Sequence, residues 1–548
     1  MPFRRDESGS TLISVLVLML VLTMVGMTMT ALVTTTRSTV ASSRDVVNSQ
    51  QAADAGLADM VATARRAGVD CAAVAQSLTA PLYTGQATCG PTPGQITFQV
   101  TGASGAARTV TKAVYAYTTG KTTGSVTGAL VSAALSGGAI NMSSIYIRNS
   151  GDFVIGSGNL DCNNTTIVSG DLFMAHGSVS LSNTCSIQGD LHATGDVQIN
   201  NDNLIGGSIV TLGKFGLNAG TINGSVDAVK AVTITNGTIA GNLTSASTDT
   251  ASIYQGRIGG SLKIAGRFSQ LQQSTVGSVA LAAGAGENSI APDTTIGGNL
   301  TLKGSLSTWG SGPTVKGTKT VNAASVPAPT ITLPSDLQAS AFSWVDYAYN
   351  SAAFGSYRTL VLSTSQCNFQ GNAALVSLVT SLTNPTVVDA RACGTVNLYN
   401  VTFAVKTDVV LLANQINSGQ GLTLNSSDGQ PHQFSLLIPD NTADGSPTCA
   451  AGQGLMKLDD VHMSSLITGL AYSPCEIHLG QSGGVSNVRW NGQVYSGQLT
   501  WGGNGGTAEN GFQLYYSPVV MPALNLPAGT VVSPGDGVLG ELLDRRDV

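Results

Sequence analysis

Charge is what this chain has least of. Only 10% of its residues are Asp, Glu, Lys or Arg, and the formal net charge is −6. No basic stripe and no Arg–aromatic cluster occurs, so the footprint of a nucleic-acid binder is missing. Aromatic residues make up 5%, and there are five histidines, His176, His192, His432, His462 and His478. These form no H-E-x-x-H and no pair at metal-ligand spacing. No two cysteines stand at C-x-x-C spacing, which excludes the commonest zinc and redox motifs. Low charge does not make the chain disordered, because Val, Ile and Leu recur throughout. The absence of a strict Gly-X-Y period excludes collagen.

Glycine is abundant, at 66 residues, and it stands among β-branched residues with little charge. That mixture suits a β-rich repeat with tight turns. The eight cysteines fall into sequential couples, Cys71/Cys89, Cys162/Cys185, Cys367/Cys393 and Cys449/Cys475, separated by 18, 23, 26 and 26 residues. An even number in locally paired positions reads as disulfides formed in an oxidising compartment.

Residues Ser10 to Val33 contain neither charge nor proline, and these 24 residues follow Arg4 and Arg5. In a helix they span roughly 36 Å, enough to cross a bilayer. The preceding arginines keep the N-terminal end in the cytoplasm and put the C-terminus outside. No proline occurs between Pro2 and Pro81, so the helix is expected to run on to about Arg66. Its second half is amphipathic, with Ala53, Leu57, Val61 and Ala64 on one stripe. Gly26 and Gly56 are candidate bends. A plain single-span anchor and a cleaved secretory signal are the competing readings, although the apolar run exceeds the usual signal core.

The stretch Gly9-Ser10-Thr11-Leu12-Ile13 before this run resembles the type IV prepilin signal. Together with Gln50-Gln51-Ala52-Ala53-Asp54-Ala55-Gly56-Leu57, it is similar to the N-terminal module of PilX-like minor pilins. The resemblance covers about residues 5 to 66. It implies cleavage between Gly9 and Ser10 by a prepilin peptidase, then assembly with other pilin subunits and the pilus machinery. Major pilins usually carry Glu at the fifth mature position; here that position is Ser14. The departure favours a minor or tip subunit over a bulk building block.

Turns of the form apolar-x-Gly-[Asp/Ser/Asn]-apolar recur from Gly128 through Gly151, Gly170, Gly189, Gly207, Gly224, Gly241, Gly260 and Gly277 to Gly298. The steps are 23, 19, 19, 18, 17, 17, 19, 17 and 21 residues. A period near 18 suits one coil of a three-faced β-solenoid, with coils stacking at about 4.8 Å. The Gly-Asp-Leu and Gly-Ser-Val steps resemble those of bactofilins, which supports a β-helix and does not transfer a cytoskeletal role. Open ends need caps, and the N-terminal region and the C-terminal region are the candidates.

The expected fold class is mainly β: a long N-terminal α-helix, then a β-solenoid, then a β-rich C-terminal region. The segments are a leader (1–9), a transmembrane and amphipathic helix (10–66), a connecting or capping region (67–120), the solenoid (121–325), an irregular continuation or second β-rich domain (326–525) and a tail (526–548) read as poorly ordered. Short helices are expected from Asp336 towards Tyr347 and from Ala373 to Leu382.

Little chemistry is expected. Asp459, Asp460 and His462 read as a solvated loop, Gly480–Gly484 as a turn, and Asp171 and Asp190 as turn formers. No enzyme, metal or cofactor is expected. Trp490, Tyr495, Trp501, Tyr515 and Tyr516 gather near the C-terminus, either as packing or as a patch for surface glycans. The leading expectation is a minor, or tip, subunit of a type IV pilus-like filament, moving from the cytoplasmic membrane to the cell surface. The alternatives are a membrane-anchored adhesin outside any filament and a β-helix carbohydrate-active enzyme.

Overall fold

Every residue from Ser8 to Ala67 is helical in the computed structural model of the chain. It describes residues 8–67, 78–80, 83–89, 95–118, 128–133, 139–142, 144–163, 165–308, 310–334, 337, 342, 344–419, 421–480, 488–502, 511–519, 521 and 538–547. These fall into two compact units, one made of residues 1–123 with 532–548 and the other of 124–531.

In the first unit the helix α1 (Ser8–Ala67) seats its second half on an antiparallel sheet. The sheet contains β1 (Leu78–Ala80), β2 (Tyr83–Cys89), β3 (Gln95–Ser104), β4 (Ala107–Thr118) and, beside β4, the C-terminal strand Val538–Asp547. The supposed tail thus completes this sheet, with Tyr115 opposite Leu542 and Tyr117 opposite Leu539. Residues 67–120, read as a connector, supply its other strands. Ala53, Leu57 and Met60 of α1 are buried, as are Ile96, Phe98, Val100 and Ala113 of the sheet. Glycine sets the approach distance. A Cβ on Gly102 would lie 2.0 Å from the Ser49 carbonyl oxygen, and one on Gly56 would lie 2.7 Å from Val100. Gly56 therefore marks a contact with the sheet.

The second unit is a parallel β-solenoid. One inward ladder runs from Leu360 through Val388, Leu411, Leu436, Ala471 and Val494, and then passes to Leu130. From there it continues through Phe153, Leu172, Leu191, Ile209, Val226, Leu243, Leu262, Ala280 and Leu300, and ends where Leu300 pairs with the exposed Lys319. The C-terminal coils therefore stack beneath the first coil of the repeat, so they do not cap its far end. The two chain segments form one stack, and the unit's entry and exit lie side by side within it.

The repeated motif explains the corners. Asp152 Oδ1 accepts from the Asp171 backbone N–H at 2.8 Å, Asp171 from Asp190 at 2.7 Å, and Asp190 from Ser208 at 2.6 Å. Ser208, Ser225 and Asn242 repeat the bond in the next coils. Each of these Asp, Ser and Asn residues thus ties its corner to the following coil. The glycine is required by close approach: a Cβ on Gly189 would lie 2.6 Å from the Gly170 oxygen. Gly189→Val should cost about 1–3 kcal/mol by overpacking. Its exposed neighbour Gln188→Val should change stability by less than about 0.5 kcal/mol. Equal denaturation midpoints for the two variants would refute this account of the corner.

Disulfides Cys162–Cys185, Cys367–Cys393 and Cys449–Cys475 are present, matching three of the sequential couples. Cys71 lies outside the described residues. The helix expected from Ala373 forms as α2 (Ala373–Thr380), with the Asn372 side chain capping Leu375 N at 3.1 Å. Leu375 and Val379 of α2 are buried against the core. The helix expected from Asp336 does not reach Tyr347, since Trp344–Asn350 have no regular secondary structure; Asp336 itself lies outside the described residues. That stretch belongs to a strap joining the two ends of the stack. Trp344, Tyr347 and Phe354 of the strap pack on outward residues from both halves, among them Val131, Val154, Val387, Val410, Tyr472 and Tyr495.

Candidate functional site

The most distinctive surface of the first unit is the front half of α1. Its side chains are open: Leu16 is 62% exposed, Met27 74% and Leu32 70%. α1 is long and apolar enough to cross a membrane. Threonines interrupt the apolar run, but their hydroxyls are satisfied within the helix. Thr23 donates to Met19 O at 3.0 Å, Thr28 to Met24 O at 3.0 Å and Thr30 to Gly26 O at 2.6 Å. Back-bonding of this kind lets a hydroxyl enter an apolar environment without losing its partner. Gly9, Ser10 and Ser14 all lie in the opening turns of α1.

The rear half is fastened to the sheet by polar contacts as well as by its apolar stripe. The Ser49 and Thr109 hydroxyls are 2.7 Å apart, Ser104 donates to Asp45 at 3.3 Å, and Arg545 pairs with Asp54. Among the described residues of this unit, the helix therefore carries one half seated on the sheet and one half whose apolar side chains are exposed.

On the solenoid, the C-terminal aromatic residues do not form a single patch. Trp490 is fully buried in the core, because it points inward on a strand that alternates. Tyr495 is buried under the strap, stacked on Tyr472 and 4.5 Å from the Trp344 ring. Trp501 packs edge-on against Phe512, and Tyr516 packs against the core. Tyr515 is half-buried, with the Arg489 guanidinium 4.0 Å above its ring.

The strap cluster went unnoticed in the sequence. Trp344 donates to Asp440 at 2.9 Å, and Asp440 also accepts from Thr448 N at 3.1 Å. Asp440 is fully buried, and burial raises its pKa against the pull of these donors. Desolvation likewise raises the Tyr472 phenol, with Asp440 adding to the shift. Tyr472 donates to Val345 O at 2.7 Å, which pins the strap.

Asp459 and Asp460 are not in a solvated loop; both are buried. Asp459 pairs with Lys457 at 3.0 Å and lies 3.6 Å from His478 Nε2. His478 Nδ1 is 3.0 Å from Thr500 Oγ1, and Thr500 in turn donates to Glu476. Among the described residues no group of three His, Cys, Asp or Glu side chains is placed to hold a metal ion. Asp171 and Asp190 are corner acceptors, as described above.

No known family profile matches the chain, and no curated protein does. A solved structure does. It is the competence-associated pilin ComZ of Thermus thermophilus. The match has 11% identity and a TM-score of 0.19, and covers 92% of this chain and 98% of ComZ.

Proposed function

We propose that this protein is a minor, or tip, subunit of a type IV pilus-like filament. The division of α1 supports the reading: a seated rear half and an open apolar front half with internally bonded threonines. A helix of that kind suits lateral packing, first among lipids and then among the helices of other pilin subunits. A prepilin peptidase would cut between Gly9 and Ser10. Ser14 stands where bulk pilins usually carry Glu, so the chain lacks the carboxylate that neutralises a neighbouring N-terminal ammonium. An unpaired charge there costs several kcal/mol, which disfavours repeated incorporation. The solenoid is then displayed outside the cell, and its role is recognition or adhesion rather than catalysis.

The mature N-terminus tests this. Protein purified from host membranes should begin at Ser10, and Gly9→Leu should leave it beginning at Met1 and absent from sheared filaments. A native chain that keeps Met1 would remove the filament reading and leave a membrane-anchored surface protein.

A further inference from the structure

The longest step after the first in the glycine series, 21 residues from Gly277 to Gly298, opens the stack on one side. Strand Phe268–Gln272 pairs in parallel with Ala251–Tyr254 of the coil before it. In the coil after it, Asn288–Ser289 pairs instead with Leu306–Ser307, and a single bridge, Leu271 to Ile290, joins the two coils here. Side chains hold the separated strands at both ends. Asn288 Oδ1 accepts from Phe268 N at 2.9 Å, and Asp293 Oδ1 accepts from Gln273 N at 2.9 Å. Thr294 Oγ1 donates to Leu271 O at 3.0 Å. Asn288 and Thr294 are fully buried, so these bonds are built into the coil.

A bulge adds to the opening. Ala251 faces Phe268 but Ser252 faces Gln270, so Ser269 is an extra residue in its strand. Bulges of this type re-aim side chains next to functional sites. The result is a cleft of about 280 Å³ lined by Ser269, Gln270, Gln272, Ser289 and Ala291. Leu271 and Ile290 also line it, but their side chains belong to the core, so they offer it main chain. Gln270 Nε2 donates to Gln272 Oε1 at 2.9 Å, which aligns the two amides.

We propose that this cleft is a subsite for one uncharged sugar unit of a glycan. Its lining offers amide and hydroxyl donors and acceptors, one methyl and no ionisable group, which is the complement of a neutral polyol. The size lies at the lower edge of small-molecule sites, about 300 Å³, and so suits one ring rather than a large ligand. An extended peptide would need an open strand edge. Here the edge is pinned at Phe268 and Gln273, leaving four residues, or roughly 13 Å. The site stands on the solenoid alone and does not depend on the filament reading.

The full chain in detergent micelles should be titrated calorimetrically with neutral gluco-, galacto-, manno- and N-acetylglucosamine oligosaccharides. Sialylated and sulfated oligosaccharides and an uncharged extended peptide serve as comparisons. At least one neutral saccharide should bind. The Gln270→Ala/Gln272→Ala variant should weaken it about tenfold, as expected for the loss of two hydrogen-bonding groups. Ser289→Leu, which fills the space without removing an amide, should weaken it as well. Gln198→Ala removes an outward amide from an unbroken coil and should leave binding unchanged. Thermal melts of the variants should match the parent. No neutral saccharide binding, preference for the acidic sugars or the peptide, or equal loss in Gln198→Ala would each overturn the proposal. A native chain beginning at Met1 would leave it intact.

Discussion

Trp344→Ala should destabilise the solenoid unit by about 3–5 kcal/mol, the range for truncating a large buried aromatic side chain. The ring touches Tyr472 and Tyr495 at centroid distances of 5.4 and 4.5 Å, and its Nε1 hydrogen bonds the buried Asp440. Removing it leaves a cavity and takes a donor from a carboxylate that has no access to water. The strap should then become a protease target at residues 344–357 while the stacked coils resist. Trp344→Phe separates the contributions, since it keeps much of the ring and loses the donor. Proteolysis read by mass spectrometry checks the result. A strap as resistant in Trp344→Ala as in the parent would show that the cluster does not hold it.

Reduction of each disulfide should have an effect at the lower end of that range. The bridges close chain segments of 23, 26 and 26 residues, each worth about 3 kcal/mol in the loop-entropy account. The denaturation midpoint should fall in strong reductant. Cys162 and Cys185, at 4% and 1% exposure inside the stack, should react after the half-buried Cys367. An unchanged midpoint with all thiols trapped as reduced would show that coil stacking alone carries stability.

Local periodicity and composition were the legible features of this sequence. The uncharged run after Arg5 announces α1, and the glycine steps announce coils, because each signal is repeated within a short stretch of chain. The Asp, Ser or Asn after each glycine was legible as a turn former, and its acceptor role follows from stacking at constant register. What could not be read was which edge each coil joins. Every coil offers the same main-chain hydrogen bonds, so the pairing of Val494 with Leu130 is chosen elsewhere. The strap chooses it, through contacts such as Trp344 with Tyr495 that lie far apart in sequence. The pairing of Val538–Asp547 with β4 is hidden for the same reason. The aromatic residues near the C-terminus show the limits of composition. Strand alternation sends Trp490 into the core and turns Tyr495 out beneath the strap. The cleft left one trace, the 21-residue step, but only the positions of Asn288 and Asp293 reveal that the extra residues hold neighbouring strands apart.

Entry and exit of the chain through neighbouring coils has a mechanical outcome. Tension applied between the strand Gly128–Ser132 and the strand Phe512–Tyr516 passes through the mid-stack contacts, Val494 with Leu130 and Phe512 with Ile145. The coils towards Lys319 and those towards Leu360 lie to either side of those contacts. A turn gained or lost at either end would leave the pairings of Val494 with Leu130 and Phe512 with Ile145 in place, while changing the length that the strap must span.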